Sequence, residues 1–171
     1  MSKRLNLREF QQRLSSRLQE GDAASSRVST LGLQIAGENW LVDMNDISEV
    51  LPLPPLTPAP LTKPWFRGVA NIRGNIYSVV DLAAYQHGGA ASGDIHNRVL
   101  LVAGRYAFNS ALLVDRVLGL RDAKALQQDA KALQQNDVNG KVVYQDEQGK
   151  AWHMLDVKTL LEQAEFLQIG I

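Results

Sequence analysis

Apolar and polar positions alternate over many short segments of the chain, and this period of two is typical of half-buried β-strands. The run VSTLGLQIA and the run WLVDM that follows it predict a hairpin that turns near Gly37. Further strands are predicted at 97–104, 106–114 and 117–120. Short strands at this spacing favour a sandwich or a barrel over a fold in which strands and helices alternate.

The end of the chain changes from a strand pattern to a helical one. Segments 141–145 and 151–155 predict a hairpin around a polar turn at 146–149. Asp156 can cap the helix that follows, because its carboxylate can accept hydrogen bonds from the free amides of the first turn. The apolar positions expected on one face of this helix are Val157, Leu160, Leu161 and Ala164.

Residues 1–26 are predicted to form a separate element, an amphipathic helix followed by a small, polar linker. Its apolar positions at helical spacing are Leu7, Phe10, Leu14 and Leu18. We expect this helix to pack on the core, and a role as a docking helix for a partner stays open. A second unusual segment, 122–135, consists of DAKALQQ written twice, and we predict that it enlarges a loop.

All six prolines lie between residues 51 and 64. Proline fixes φ and removes a backbone donor, so this segment is predicted to be a stiff, extended connection. It leads to Trp65 and Phe66, which we expect to anchor the segment to the core and not to contact a ligand.

The stretch that follows, residues 64–82, reads PWFRGVANIRGNIYSVVDL and contains two Arg-Gly steps. Glycine adopts positive φ without strain, and residues 76–82 are rich in β-branched side chains, so the stretch predicts a tight hairpin. Arg73 is expected at its turn, exposed to solvent. An arginine on a rigid turn is a candidate binding residue, although a merely solvated arginine is the more common case.

Composition narrows the range of functions. The chain has 171 residues with 18 basic and 18 acidic side chains, and this balance argues against a general nucleic-acid binder. It has no cysteine, so disulfides and thiol chemistry are excluded. No apolar run is long enough to span a membrane, so we expect a cytoplasmic protein that reaches a membrane only through a partner.

Candidate catalytic groups are few. Asp81 and Asp115 follow apolar strands and could form an acid–base pair, but acids at strand ends more often cap turns. The three histidines lack the spacing of metal ligands; they are His87, His96 and His153. No nucleophile motif or phosphate-binding loop is present, so the sequence predicts an adaptor with no catalysis, cofactor or metal.

The hairpin stretch also resembles a known family. Its pattern G-V-x-N-x-R-G, followed by V-x-D-L, is similar to that of the CheW family of chemosensory coupling proteins. The matching residues are Gly68, Val69, Asn71, Arg73, Gly74, Val80, Asp81 and Leu82. Segments 47–51, 112–120 and 151–161 match in the same order, so the resemblance covers about residues 30–161. The Tyr77-Ser78 pair and the proline-rich segment are most similar to the twitching-motility branch of the family.

The resemblance implies an all-β fold of two SH3-like five-stranded β-barrels with N- and C-terminal helices. The CheW-like domain would span 27–168, and its parts would be barrel one at about 27–82, barrel two at about 97–155 and a C-terminal helix at about 156–168.

The resemblance also implies a function. Family members bind the regulatory domain of a chemosensory histidine kinase and the cytoplasmic tip of a methyl-accepting receptor, and so couple receptor state to kinase activity. In the twitching branch the output is movement of type IV pili. The family's receptor groove lies between the barrels near the N-x-R-G motif. The implied receptor-binding residues are Asn71, Arg73, Val69, Ile72 and Glu49.

Other interpretations stay open. The chain could couple a flagellar chemotaxis array, or it could be the regulatory SH3-like domain of a larger kinase. The initial methionine and the helices predicted at both ends favour a separate polypeptide over the kinase domain. A small-barrel enzyme or nucleic-acid binder is disfavoured by the neutral charge and by the lack of catalytic groups.

Overall fold

A computed structural model describes residues 30–89, 93–122 and 143–171. The strands of these segments are β1 Thr30–Ile35, β2 Glu38–Asp43, β3 Ile47–Pro52, β4 Phe66–Ile72, β5 Asn75–Asp81, β6 Arg98–Val102, β7 Ser110–Val114, β8 Arg116–Arg121, β9 Val143–Gln145 and β10 Ala151–Leu155. The helices are α1 Leu82–His87, α2 Val157–Glu162 and α3 Ala164–Leu167, and 3-10 turns lie at Met44–Asp46 and Gly104–Tyr106. The predicted N-terminal helix and linker, and the duplication beyond Asp122, lie outside the described residues.

The strands form two five-stranded sheets, and each sheet takes strands from both halves of the chain. One sheet has the order β8-β1-β2-β10-β9, and the other has the order β3-β6-β7-β5-β4. Neither sheet therefore coincides with one predicted range, either barrel one at 27–82 or barrel two at 97–155. The physical reason is that two parallel pairings, β10 with β2 and β5 with β7, join segments far apart in sequence.

The predicted β1–β2 hairpin and the capping roles of Asp81 and Asp115 are confirmed. The hairpin turns at Ala36 and Gly37, both with positive φ. Asp115 caps this turn, because its Oδ2 accepts a hydrogen bond from the Ala36 amide at 2.8 Å. Asp81 caps α1 by accepting a hydrogen bond from the Ala84 amide at 3.1 Å. Both acids therefore cap backbone amides, as predicted for strand-end carboxylates.

The C-terminal helix begins where predicted but is shorter. Asp156 accepts a hydrogen bond from the Thr159 amide at 3.1 Å and caps α2. The predicted helix at 156–168 is interrupted at Gln163, where φ is −66° and ψ is 127°, and α3 begins at Ala164. The extended backbone at Gln163 turns α3 toward the end of the proline-rich segment.

The main apolar core draws on both sheets. Its members include Leu33 and Trp40 from one sheet and Val80 and Leu112 from the other. Trp65 belongs to the same core and is only 6% exposed, which confirms that it anchors the proline-rich segment. Its ring stacks on Phe166 of α3 at 6.1 Å and meets Tyr85 of α1 edge-on at 5.1 Å.

The proline-rich segment also covers the outer edge of β4. Thr57 and Val69 exchange two backbone hydrogen bonds, of 2.8 and 2.9 Å. The approach is so close that a Cβ atom on Gly68 would lie 2.3 Å from the Thr57 carbonyl oxygen, and Gly68 has a φ of +120°. Space and backbone conformation therefore both require glycine at this position. The contact holds β4 in place just before the Arg73 turn.

Candidate functional site

The turn between β4 and β5 contains only two residues. Ile72 pairs with Asn75, which leaves Arg73 and Gly74 between the strands. Their φ angles are +54° and +84°, the left-handed pair that is typical of a type I′ hairpin turn. Arg73 therefore lies at the turn, and its side chain is 71% exposed, as the sequence predicts.

Arg73 is held by an ion pair with Glu49 of β3. Its Nη1 and Nη2 atoms donate hydrogen bonds of 2.7 and 2.5 Å to the two carboxylate oxygens. β3 and β4 are the two edges of the same sheet, so the pair connects the turn to the opposite edge. Such an exposed pair contributes about 0–1 kcal/mol of stability, and its main physical effect is to fix the plane of the guanidinium.

Asn71 lies one residue before Ile72 and supports the turn from within. Its Oδ1 atom accepts a hydrogen bond from the Gly74 amide at 2.9 Å. The structure thus brings Asn71, Arg73 and Glu49 together, and we call these three residues the turn cluster.

The two apolar residues predicted for the site are separated. Val69 is half-buried and packs against the main core. Ile72 is only 7% exposed and lies in a second core cluster, which belongs to the sheet β3-β6-β7-β5-β4. Ile72 therefore offers little of its side chain to a partner in this structure, and its role in receptor binding stays a prediction.

Ile76 is the apolar residue that lies beside the turn cluster. It pairs across the hairpin with Asn71 and is 55% exposed. Sequence reasoning missed it, although the signal was present. A two-residue turn at 73–74 places residues 71 and 76 opposite each other, and residues opposite each other share a face of the sheet.

A second charged cluster, also missed from the sequence, joins the two 3-10 turns. Asp46 accepts hydrogen bonds from Arg105 and from the Tyr106 hydroxyl, the latter at 2.5 Å. The Arg105 guanidinium lies 4.9 Å from the centre of the Tyr106 ring. The hydrogen bond to Asp46 raises the pKa of Tyr106, because it stabilises the protonated phenol.

Two histidines and Asp115 lie outside both clusters. The Nε2 atom of His87 lies 3.4 Å from the Oε2 atom of Glu38. The ring of His153 packs against Trp40, with the ring centres 4.9 Å apart. Burial raises the pKa of Asp115 above its ordinary value. Within residues 30–89, 93–122 and 143–171, no three His, Cys, Asp or Glu residues are grouped so that they could hold a metal ion. None of the described helices is long and apolar enough to cross a membrane.

Comparisons with known proteins agree with this architecture. A model of the CheW-like domain matches residues 29–165. Protein PilI of Pseudomonas aeruginosa is 31% identical over 109 residues, which are 64% of this chain and 61% of PilI. The matched segment therefore spans less than two thirds of that relative.

A solved structure shows the same fold. The scaffolding protein TtCheW from Thermoanaerobacter tengcongensis matches with a TM-score of 0.62 at 21% identity, over 81% of this chain and 94% of TtCheW. The likeness confirms the predicted fold class, which is mostly β with two five-stranded sheets in the arrangement of two SH3-like units.

Proposed function

Because this chain belongs to the CheW-like domain family, we propose that it is a non-catalytic adaptor that couples a methyl-accepting receptor to a chemosensory histidine kinase. The observation that carries this proposal is the match of the family model over residues 29–165. One partner would be the regulatory domain of the kinase, and the other would be the cytoplasmic hairpin tip of the receptor. The adaptor would join membrane-associated receptor arrays through that tip, without membrane contact of its own.

The output we propose is the movement of type IV pili. The similarity to PilI, at 31% identity, supports this output over the flagellar alternative. A coupler of a flagellar array would use the same fold and the same kinds of partner, so the distinction depends on which receptor and kinase bind most tightly.

The receptor surface we propose is the turn cluster with Ile76 beside it. A receptor tip is a helical hairpin, which offers apolar side chains and a few polar groups to a partner. Ile76 supplies exposed apolar area, and Arg73 supplies a charged donor whose orientation Glu49 fixes. Val69 supports this surface from within the fold, because its backbone hydrogen bonds with Thr57 fix the edge of the hairpin.

A charge reversal tests this surface. We expect Arg73→Glu to weaken binding to the receptor tip at least tenfold, because it places two carboxylates side by side and removes an oriented cation. The matched control is Lys158→Glu, which makes the same charge change on the exposed surface of α2. The measurement is the Kd for the receptor tip by titration calorimetry, with a thermal melt of each variant.

Equal binding by wild type and Arg73→Glu would contradict the site, provided that both melt at the same temperature. A similar loss of binding in Lys158→Glu would also contradict it, because the effect would then follow net charge and not position.

A further inference from the structure

Asn71 is exposed, yet the hydrogen bond that it makes is internal. Its Oδ1 atom accepts from the Gly74 amide at 2.9 Å, across Ile72 and Arg73. Its Nδ2 group donates no hydrogen bond to the part of the chain that the structure describes. The acceptor of this side chain is therefore used by the fold, and its donors are not.

The turn that this hydrogen bond closes is one that arginine adopts with difficulty. Arg73 has a φ of +54°, in the left-handed region where a Cβ atom crowds the following carbonyl. Gly74, at +84°, accepts its conformation without strain but has no side chain that could hold the turn. The hydrogen bond from the Gly74 amide to Asn71 thus offsets part of the conformational strain at Arg73.

The direction of the Arg73 side chain depends on that backbone. The guanidinium meets Glu49 with both terminal nitrogens, and the backbone of Arg73 sets the point and direction from which its side chain starts toward β3. Loss of the left-handed conformation at Arg73 would swing the side chain away from β3. The ion pair between Arg73 and Glu49 therefore depends on the conformation of the turn. That conformation depends in turn on the hydrogen bond from Gly74 to Asn71.

We infer that Asn71 is a positioning residue, which acts on a partner through Arg73 and makes no essential contact of its own. The inference rests on the proposed function and changes the role of Asn71 from a receptor contact to a support of the turn. To hold the turn, the side chain at position 71 needs only a hydrogen-bond acceptor where Oδ1 of Asn71 lies. Aspartate has that acceptor, whereas alanine has none, and neither residue has the amide donors of asparagine.

The test compares Asn71→Ala with Asn71→Asp. We expect the Gly74 amide of Asn71→Ala to exchange with deuterium about tenfold faster than in wild type, and receptor-tip binding to weaken about tenfold. We expect Asn71→Asp to restore the protection of Gly74 and to recover most of the binding. The control is Gln148→Ala, which removes an exposed amide side chain from the β9–β10 turn and should change neither quantity.

Two outcomes would overturn the inference. Wild-type protection of Gly74 in Asn71→Ala would show that the side chain does not hold the turn. Poor binding by Asn71→Asp with Gly74 fully protected would show that support of the turn is not what Asn71 contributes to binding. If wild type itself fails to bind the receptor tip, the proposed function fails, while the exchange rates of Gly74 still decide whether Asn71 holds the turn.

Discussion

Arg73 occupies a backbone conformation that asparagine or glycine would adopt more readily. The Arg-Gly step and the strands beside it were sufficient to predict a turn and an exposed arginine. The same pattern also contained the reason why Ile72 does not belong to the surface. Side chains of a strand alternate between its faces, so Val69 and Ile72, three residues apart, point to opposite sides. The family resemblance implies that both residues bind the receptor, whereas the alternation of side chains places them on opposite faces of β4.

The conformation of Arg73 leads to a prediction in which binding and stability change differently. We expect Arg73→Asn to lose receptor-tip binding and yet to melt at the wild-type temperature or slightly above it. Asn-Gly is the preferred sequence of this turn, and the lost ion pair is worth only about 0–1 kcal/mol. Thermal melts and binding titrations of the same samples provide the measurement.

Arg73→Ala is the matched variant for this prediction. It loses the same ion pair but has no preference for the left-handed region, so we expect it to be about 0.5–1 kcal/mol less stable than Arg73→Asn. If the two variants have equal stability, backbone strain at residue 73 is not a feature of the site.

Among the elements, the proline-rich segment supports the hairpin without belonging to the sheet. Its prolines predicted a stiff connection, and its end is fixed by Trp65 between α1 and α3. The sequence could not show that Thr57 would pair with Val69, because that contact depends on the path of the whole segment. Gly68 does not turn the chain: it lies within β4, where the absence of a side chain lets the backbone of Thr57 approach.

Substitution of Gly68 tests this contact. We expect Gly68→Ala to destabilise the fold by about 2–4 kcal/mol, because it strains a backbone at φ +120° and pushes Thr57 away from its two hydrogen bonds. Gly149→Ala is the control, since Gly149 also has a positive φ but a Cβ atom there would meet nothing within 4 Å. We expect this control to cost only about 1–2 kcal/mol.

Denaturant titrations of both variants give the free energies of unfolding. Equal losses would mean that the backbone of Gly68, and not the approach of Thr57, accounts for the whole effect. A smaller loss in Gly68→Ala than in Gly149→Ala would contradict the described packing at β4.

For the molecule as a whole, the sequence predicted the kinds of elements better than their partners. Hairpins such as β1–β2 form between neighbours in sequence, and turn residues such as Gly37 mark them. The parallel pairing of β10 with β2 joins residues more than a hundred positions apart, and no local pattern specifies such a pairing. This is why local patterns predict the individual strands, whereas the distribution of strands between the two sheets is seen only in the structure.

The shared strands matter for the proposed adaptor. Because each sheet contains strands from both halves of the chain, neither sheet can be made from one half alone. The main core also includes side chains from both sheets. Two partners bound at different places would therefore be held by one packed body, which is what a bridge between receptor and kinase requires.

The most direct test of the bridging account is the autophosphorylation rate of the kinase in a reconstituted mixture with receptor and this chain. With wild type, we predict that a change of receptor state changes the kinase rate, and that omission of this chain abolishes the response. With Arg73→Glu, we predict that the chain still binds the kinase regulatory domain but that the response is lost. A full response in the absence of this chain, or with an Arg73→Glu variant that no longer binds receptor, would contradict the account.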